Sequence, residues 1–238
     1  MTNALEFPLD PINFLAWIDL TNARMKPVTE LHGYADEPMD QINCEDDKDK
    51  DKKPEPKSDN LELKLLESRT IIVEGPVNDK MYRAVVARLL YLEQKDSGTE
   101  ITVLVNSPGG SADGGFAIYD AMKFVSCPVR TICNGLCASA GVLIYLGGSK
   151  GRRFSLPNSR FLLHQPSTSA MGQASDMEIT AQEILRTRRR YAEIVAKEIG
   201  SNMDKVQEDS NRDFWLSAEG ALKYGLCDKI GVTRADVK

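Results

Sequence analysis

Residues 133–141 read C-N-G-L-C-A-S-A-G and are centred on Ser139. The apolar run 129–133 before them has strand character, and the apolar run 142–146 after them has helix character. A nucleophile on a sharp strand-to-helix turn needs such small neighbours, because a substrate carbonyl must approach it and free N–H groups must reach the developing oxyanion. The same residues also fit an ordinary N-cap serine among packing alanines. The rest of the chain must decide between these two interpretations.

The composition predicts a soluble globular protein with one domain of moderate size and an appendage, or at most two small domains. The chain has 238 residues, 42% hydrophobic and 27% charged, and its net charge of −5 argues against nucleic acid as the main partner. No apolar run reaches membrane-spanning length, so no membrane partner is expected. The five cysteines match no zinc pattern and predict reduced thiols in the cytoplasm or an equivalent organellar matrix or stroma.

A run of mixed charges marks the boundary of the folded domain. Residues 44–60 carry acidic and basic side chains with almost nothing to bury, which predicts a disordered linker. We therefore expect an N-terminal extension over residues 1–60 and a single folded domain over residues 61–238. The extension contains one apolar patch, residues 14–18, which fits either a tether for a partner or a terminal segment that folds back.

Beyond residue 60, strand and helix patterns alternate, which predicts an α/β fold. Strands are predicted at residues 70–73, 101–105, 129–133 and 161–164, and helices at residues 78–94, 112–124, 139–146, 176–199, a short stretch after 201, and 217–225. Asn78 and Ser217 are predicted to cap the helices that they begin. The run 101–105 is continuously apolar, as in strands covered on both faces.

The long helix 176–199 has its own start and stop signals. Ser175 and Glu178 form a capping-box pattern at its start, and Gly200 stands at its end. Its apolar stripe is longer than a small domain needs, which predicts that part of it is buried between subunits. The members of that stripe are Met177, Ala181, Ile184, Leu185, Ile194 and Val195.

Two further side chains are candidates for catalysis. Of the two histidines, His32 lies in the extension, whereas His164 closes a predicted strand, where α/β sheets place their sites and where a histidine suits general-base work near neutrality. Asp213 precedes two aromatic residues, which favours a position in a cleft. Each also fits a structural role, as a half-buried histidine and a turn aspartate. With Ser139 they supply a nucleophile, a base and a group that orients the base, but the sequence does not show that they meet.

Gly109 and Gly110 follow a predicted buried strand. Without a Cβ they allow close backbone approach, either to hold an N–H at an oxyanion or to admit an extended peptide, although an ordinary strand-to-helix turn also fits. Neither of the glycine patterns that bind phosphates is present.

Several linked motifs resemble, in order, the proteolytic subunit of the Clp protease. They are N-S-P-G-G at 106–110, the stretch 133–141, K-G-R-R-F-S-L-P-N-S-R-F-L-L-H-Q-P at 150–166, G-Q-A-S-D-M-E-I at 172–179 and N-R-D-F-W-L-S-A-E-G-A-L-K-Y-G-L at 211–226. The resemblance runs from about Leu65 to Val232, which is nearly all of the chain after the linker.

The resemblance implies a catalytic mechanism and an assembly. Ser139 would be the nucleophile, His164 the general base and Asp213 its orienting carboxylate, with the backbone N–H groups of Gly110 and Ala140 as the oxyanion hole. No metal or cofactor is implied, since ATP would be used only by a partner unfoldase of the AAA+ class. The family's fold is crotonase-like, a spiral of ββα units. Identical or paralogous subunits form two stacked seven-membered rings that degrade unfolded polypeptides, and the helix 176–199 would be the handle between the rings.

The chain also departs from the family pattern. No axial loop is recognisable before Leu65, Ala140 stands where methionine is frequent, and Thr102 and Leu104 replace aromatics of the family's unfoldase-docking pocket. Three alternatives therefore stay open: a processing protease that works without the usual unfoldase, a non-catalytic ring or scaffold subunit, and an acyl-CoA enzyme of the crotonase type. The complete Ser/His/Asp set argues against the last of these, which usually acts through carboxylates.

Overall fold

The computed structural model of the protein describes residues 59–237. The apolar patch 14–18, His32 and most of the charged linker lie outside these residues, and the predicted domain boundary stays a prediction. Asp59 and Asn60, which the sequence assigned to the linker, belong to the first helix.

Strands and helices alternate along most of the chain before the long helix, as the sequence pattern predicted from residue 70 onward, whereas the first helix was not predicted. The helices are α1 Asp59–Glu67, α2 Asp79–Lys95, α3 Ala112–Phe124, α4 Ala140–Leu146, α5 Ala174–Ile199, α6 Met203–Asp209 and α7 Ala218–Tyr224; the strands are β1 Thr70–Glu74, β2 Ile101–Ser107, β3 Val129–Ala138, β4 Arg153–Ser155, β5 Arg160–Leu163, β6 Phe214–Ser217 and β7 Lys229–Ile230. Strands β4, β6 and β7 were not predicted, because runs of two to four residues show too little periodicity.

One seven-stranded sheet contains all of the strands in the described residues. Its main path runs β1-β2-β3-β4-β7 with every pair parallel, and β5 leaves this path to pair in parallel with β3 and antiparallel with β6. The first half of β3, at 131–133, pairs with β4, and the second half, at 136–138, pairs with β5.

A bulge in β3 allows this change of neighbour. Val105 and Ser107 of β2 stand opposite Cys133 and Cys137 of β3, so β3 has four residue steps where β2 has two. The extra residues loop out and the strand changes direction. Beyond the bulge, β3 carries the chain directly to Ser139.

The main hydrophobic core lies on one face of the sheet. Ile101, Val103 and Val105 of β2 are buried there, and all seven residues of α4 are buried behind the end of β3. On the other face, Thr102 and Leu104 are only half-buried, so the prediction that β2 is covered on both faces is wrong for the single chain. A small second cluster of Ile132, Phe154 and Val237 covers part of that face, with Leu104 and Leu156 at its edge.

Most of the predicted helix caps are confirmed. Asn78 accepts a hydrogen bond from the Met81 N–H at 3.0 Å, Ser217 accepts one from the Gly220 N–H at 3.1 Å, and Gly200 ends α5 in the left-handed conformation. The capping box at Ser175 is wrong. Helix α5 begins at Ala174, two residues earlier than predicted, with Gln173 at the N-cap, so Ser175 already lies inside the helix and cannot cap it.

A buried ionic cluster joins the end of α5 to β4 and α3. Glu198 contacts the Arg153 guanidinium, accepts a hydrogen bond from the Tyr119 hydroxyl at 2.6 Å and lies 3.2 Å from Lys123 Nζ. Burial alone would raise the pKa of Glu198, but the Tyr119 and Arg153 hydrogen bonds and the charges of Arg153 and Lys123 outweigh it and hold that pKa below its usual value. Burial lowers the pKa of Lys123. The cluster therefore holds a carboxylate charged inside the protein.

Candidate active site

Ser139 stands on a strained turn between β3 and α4. Its backbone has φ 54° and ψ −122°, a conformation that is costly for a residue with a side chain. Its side chain makes no capping hydrogen bond to α4, so the interpretation as an ordinary N-cap serine is wrong. The Ser139 N–H donates to the Leu162 carbonyl of β5 at 2.9 Å, which fixes the turn against the strand that leads to His164. The Ser139 hydroxyl therefore has no structural role as a cap of α4.

The pairing of β5 with β6 brings His164 next to Asp213. Leu163, the last residue of β5, stands opposite Phe214, the first residue of β6, in the antiparallel register. His164 directly follows Leu163, and Asp213 directly precedes Phe214, so these two residues stand opposite each other just beyond the paired strands. Directly opposed residues in such a pair lie within side-chain reach. His164 Nδ1 is 3.3 Å from Asp213 Oδ1. The imidazole therefore presents its other nitrogen, Nε2, away from the carboxylate.

Asp213 does not lie in a cleft of the single chain, contrary to the sequence-based expectation. Its side chain is 64% exposed, whereas that of His164 is 30% exposed. The physical reason is the position of β6, which in the described residues pairs only with β5 and leaves Asp213 at the margin of the sheet.

Ser139 and His164 line one open cavity of about 440 Å³. Its other lining residues are Pro108, Gly110, Ser111, Ala112, Phe116, Ala140, Leu143, Pro166, Ser167, Thr187 and Tyr191. Ser139 Oγ and His164 form no hydrogen bond with each other in the described residues; catalytic hydrogen bonds of free enzymes are often longer than those of the substrate complex. The cavity has an apolar wall beside a serine hydroxyl and an imidazole, which could accommodate an amino-acid side chain of a peptide.

The turn after β2 approaches Ser139 closely. A Cβ on Gly109 would lie 2.6 Å from the Ser139 Cβ and 2.7 Å from the Ala138 carbonyl oxygen, so only glycine fits there, and its φ of 87° also favours glycine. Gly110 and Ala140 both line the cavity beside Ser139. Ala140 is the first residue of α4, where the N–H has no partner within the helix. The structure thus brings both predicted oxyanion residues to the side of Ser139.

Sequence reasoning missed the residues that hold this turn. The Val77 N–H donates to the Gly109 carbonyl at 2.9 Å, and the Ser107 hydroxyl bridges Gly75 and Gly109. The only signal in the sequence was the turn pair Gly75-Pro76, which says nothing about a contact more than thirty residues along the chain. In residues 59–237, no group of three or more His, Cys, Asp or Glu side chains is arranged to hold a metal ion.

Comparison with known proteins identifies the family. The sequence model of the Clp protease family matches residues 52–234. A solved structure of a ClpP1 point mutant from Listeria monocytogenes is similar, with 37% sequence identity and a TM-score of 0.70 over 75% of this chain and 99% of that chain. The fold and the match define a protease with the crotonase-like fold of the ClpP proteins. The chain belongs to the Clp protease family.

Family membership confirms the predicted fold class and the general activity. Proteins of this family are peptidases that generally form oligomeric rings. Among helices of residues 59–237, none combines the length and the apolar character that crossing a bilayer requires.

Proposed function

We propose that this protein is a serine endopeptidase that hydrolyses peptide bonds of unfolded polypeptides through an acyl-enzyme on Ser139. The observation that carries this proposal is the strained Ser139, whose hydroxyl caps nothing and which shares a cavity with His164, itself 3.3 Å from Asp213. A strained backbone that serves no packing purpose is typical of functional residues.

The proposed reaction follows from the positions of these groups. Ser139 Oγ attacks the substrate carbonyl carbon while His164 Nε2 takes its proton, and Asp213 at Nδ1 orients the ring and stabilises its positive charge. The carbonyl oxygen becomes an oxyanion that the Gly110 and Ala140 N–H groups stabilise. His164 then returns the proton to the leaving amine, and a water molecule repeats the sequence to release the acid and restore Ser139.

An active-site-directed phosphonate tests this proposal. We expect it to attach to Ser139 alone, as read by peptide mapping, because attack on phosphorus needs the same nucleophile, base and N–H groups. Absence of labelling under conditions that preserve the fold would contradict the peptidase proposal and favour a scaffold subunit or a crotonase-type acyl-CoA enzyme.

We further propose that α5 joins subunits within a ring assembly, as identical or paralogous copies in stacked heptameric rings. Its carboxyl-terminal third is buried in the single chain, whereas Met177, Ile179 and Leu185 of its earlier part are exposed. Ile194, which the sequence assigned to the same stripe, is half-buried and packs against the chain's own core, so it offers less free apolar area than Leu185 does. An apolar helix face of this kind normally meets another surface.

Replacing Leu185 with glutamate is expected to separate the rings while leaving each subunit folded. The side chain is 60% exposed in the single chain, so the charge costs little there, whereas burying it between subunits without a partner would be strongly unfavourable. Sedimentation velocity measures the effect. Gln182→Glu is the control, because it changes the charge equally on the same helix without removing apolar area. Native protein that sediments as a monomer at micromolar concentration would contradict the assembly.

We propose that an AAA+ unfoldase is a partner of these rings and that it docks weakly. Thr102 offers a small polar group on the open face of the sheet, and Leu104 beside it packs against the Ile132, Phe154 and Val237 cluster. A lost aromatic anchor typically costs about 2 kcal/mol or more at an interface, and repeated docking sites multiply the loss.

Weak docking predicts little ATP-dependent degradation of a folded, tagged substrate when a Clp unfoldase of another source is added. The assay uses the full-length protein and a variant that starts at Leu61. Degradation by the full-length protein at submicromolar unfoldase would contradict weak docking. Activity only after removal of residues 1–60 would show instead that those residues block the partner.

The free thiols support a reducing compartment. Cys127, Cys133, Cys137 and Cys227 are all unpaired and buried, which suits the cytoplasm or an equivalent organellar matrix or stroma. No bound cofactor is needed for the proposed chemistry.

A further inference from the structure

A buried hydroxyl next to the oxyanion turn has no part in the reaction described above. Ser107 is the last residue of β2, is 0% exposed and stands opposite Cys137, two residues before Ser139. Its Oγ donates a hydrogen bond to the Gly75 carbonyl at 2.7 Å and accepts one from the Gly109 N–H at 3.1 Å. The hydroxyl therefore links the segment after β1 to the glycine that touches Ser139.

Gly109 is held at both ends of its backbone. Its N–H is bound by Ser107, and its carbonyl accepts a hydrogen bond from the Val77 N–H at 2.9 Å. The next anchor along the chain is the Ser111 N–H, which donates to the Val77 carbonyl at 2.9 Å. The turn from 107 to 111 is thus fastened to the segment 75–77 at three points.

These hydrogen bonds determine the direction in which the Gly110 N–H points. In a trans peptide, the carbonyl of one residue and the N–H of the next point in opposite directions. Because the Gly109 carbonyl faces Val77, the Gly110 N–H faces away from Val77. Gly110 lines the cavity beside Ser139, and in the described residues its N–H donates no backbone hydrogen bond.

Gly109 would not keep this orientation unaided. It has φ 87°, and a glycine moves between backbone conformations more easily than any other residue. If its N–H lost the Ser107 oxygen, that N–H would be unpaired next to a fully buried position, and the peptide planes on either side could rotate to find a partner.

We infer that Ser107 is a positioning residue for catalysis: its hydroxyl locks Gly109 so that the Gly110 N–H faces the oxyanion. This inference rests on the proposed function of Ser139. It assigns to Ser107 an effect on the transition state, through Gly109 and Gly110, and no contact with substrate.

Ser107→Ala is expected to lower kcat for peptide hydrolysis by about 10- to 100-fold, somewhat less than the loss of a whole oxyanion donor. KM should change by less than about threefold, because the substrate is bound before the oxyanion forms. The rate of phosphonate attachment to Ser139 should fall together with kcat. Alanine removes only the Oγ and adds no atom. The space around residue 107 is limited, since even a Cβ on Gly141 would lie 3.3 Å from the Ser107 Cβ, so no larger residue is tested.

Ser155→Ala is the matched control. Ser155 is equally buried, and its Oγ donates to the Leu156 carbonyl at 3.1 Å, away from the cavity. We expect this variant to lose stability without losing kcat. If Ser107→Ala and Ser155→Ala have equal kcat and equal labelling rates, Ser107 is only structural and the inference is wrong.

Residue-resolved hydrogen exchange on the native protein provides a test that needs no variant. The Gly109 amide should be protected before and after phosphonate attachment, whereas the Gly110 amide should become protected only after it. An unprotected Gly109 amide, or a Gly110 amide that attachment leaves unchanged, would overturn the inference. Failure of the native protein to react with the phosphonate would instead overturn the proposed function, so the two failures are distinguishable.

Discussion

Ser139→Ala is expected to lower kcat for a fluorogenic peptide by about 10⁴- to 10⁶-fold, because the members of a catalytic triad act as one unit. The variant should keep its fold and its assembly. Alanine fits the turn as well as serine does, since the side chain makes no capping hydrogen bond and the Ser139 N–H bond to Leu162 is a backbone contact. Substrate affinity should change little, because the cavity wall is intact.

The double variant Ser139→Ala with His164→Ala sharpens this prediction. If the two residues work together, the double variant should be no slower than Ser139→Ala alone. Near-native hydrolysis by Ser139→Ala would contradict the assignment of the nucleophile. Multiplicative losses in the double variant would contradict a shared role, because independent sites contribute additively in free energy.

The central turn was predictable from sequence because its signals are local. Small residues around Ser139, an apolar run before it and another after it lie within about twenty positions, and each has a direct physical meaning for the backbone. The same holds for the caps at Asn78 and Ser217 and for the left-handed end of α5 at Gly200.

The meeting of the side chains was not predictable from patterns alone. His164 and Asp213 come together through the register of β5 with β6, and β6 is an edge strand of four residues with no period long enough to read. The Ser107 hydroxyl acts on Gly75, 32 positions earlier, so a serine in a turn motif gave no sign of it. Family resemblance supplied the proposed roles of Ser139, His164 and Asp213, because it carries spatial information that periodicity lacks.

Buried charged residues illustrate a second limit of prediction from sequence patterns. Arg153 stands in a basic stretch and Glu198 at the end of an amphipathic helix, both of which suggest solvent exposure. In the structure their side chains are 2% and 4% exposed and pair across 45 positions of sequence. Burial of an ion pair depends on the packing of α5 against β4, which no local pattern encodes.

Arg153→Met is expected to destabilise the folded protein by about 3 to 5 kcal/mol, because it leaves Glu198 buried with an incomplete set of partners. Besides the carboxylate, Arg153 donates to the Gly148 carbonyl at 3.0 Å and the Glu198 carbonyl at 3.1 Å, and these contacts are lost as well. Urea unfolding at fixed protein concentration measures the change. Arg152→Met is the control: its side chain is 48% exposed and pairs with Glu100, so its loss should cost less than about 1 kcal/mol. Equal effects of the two substitutions would show that burial of the pair contributes nothing.

The pH dependence of the destabilisation by Arg153→Met tests whether the carboxylate of Glu198 is its source. In the native protein the pKa of Glu198 is lowered, so its contribution to stability is fully present above the ordinary glutamate pKa, about 4.3, and disappears as the pH falls through the folded-state pKa. Without the guanidinium, only the Tyr119 hydrogen bond and the Lys123 charge oppose the effect of burial, so we expect the pKa of Glu198 to rise and protonation of Glu198 to relieve part of the destabilisation. The difference in unfolding free energy between native protein and Arg153→Met should therefore shrink as the pH is lowered from 7 towards 4. A difference that stays constant over this range would mean that lost packing of the arginine stem, and not the unpaired charge of Glu198, causes the destabilisation.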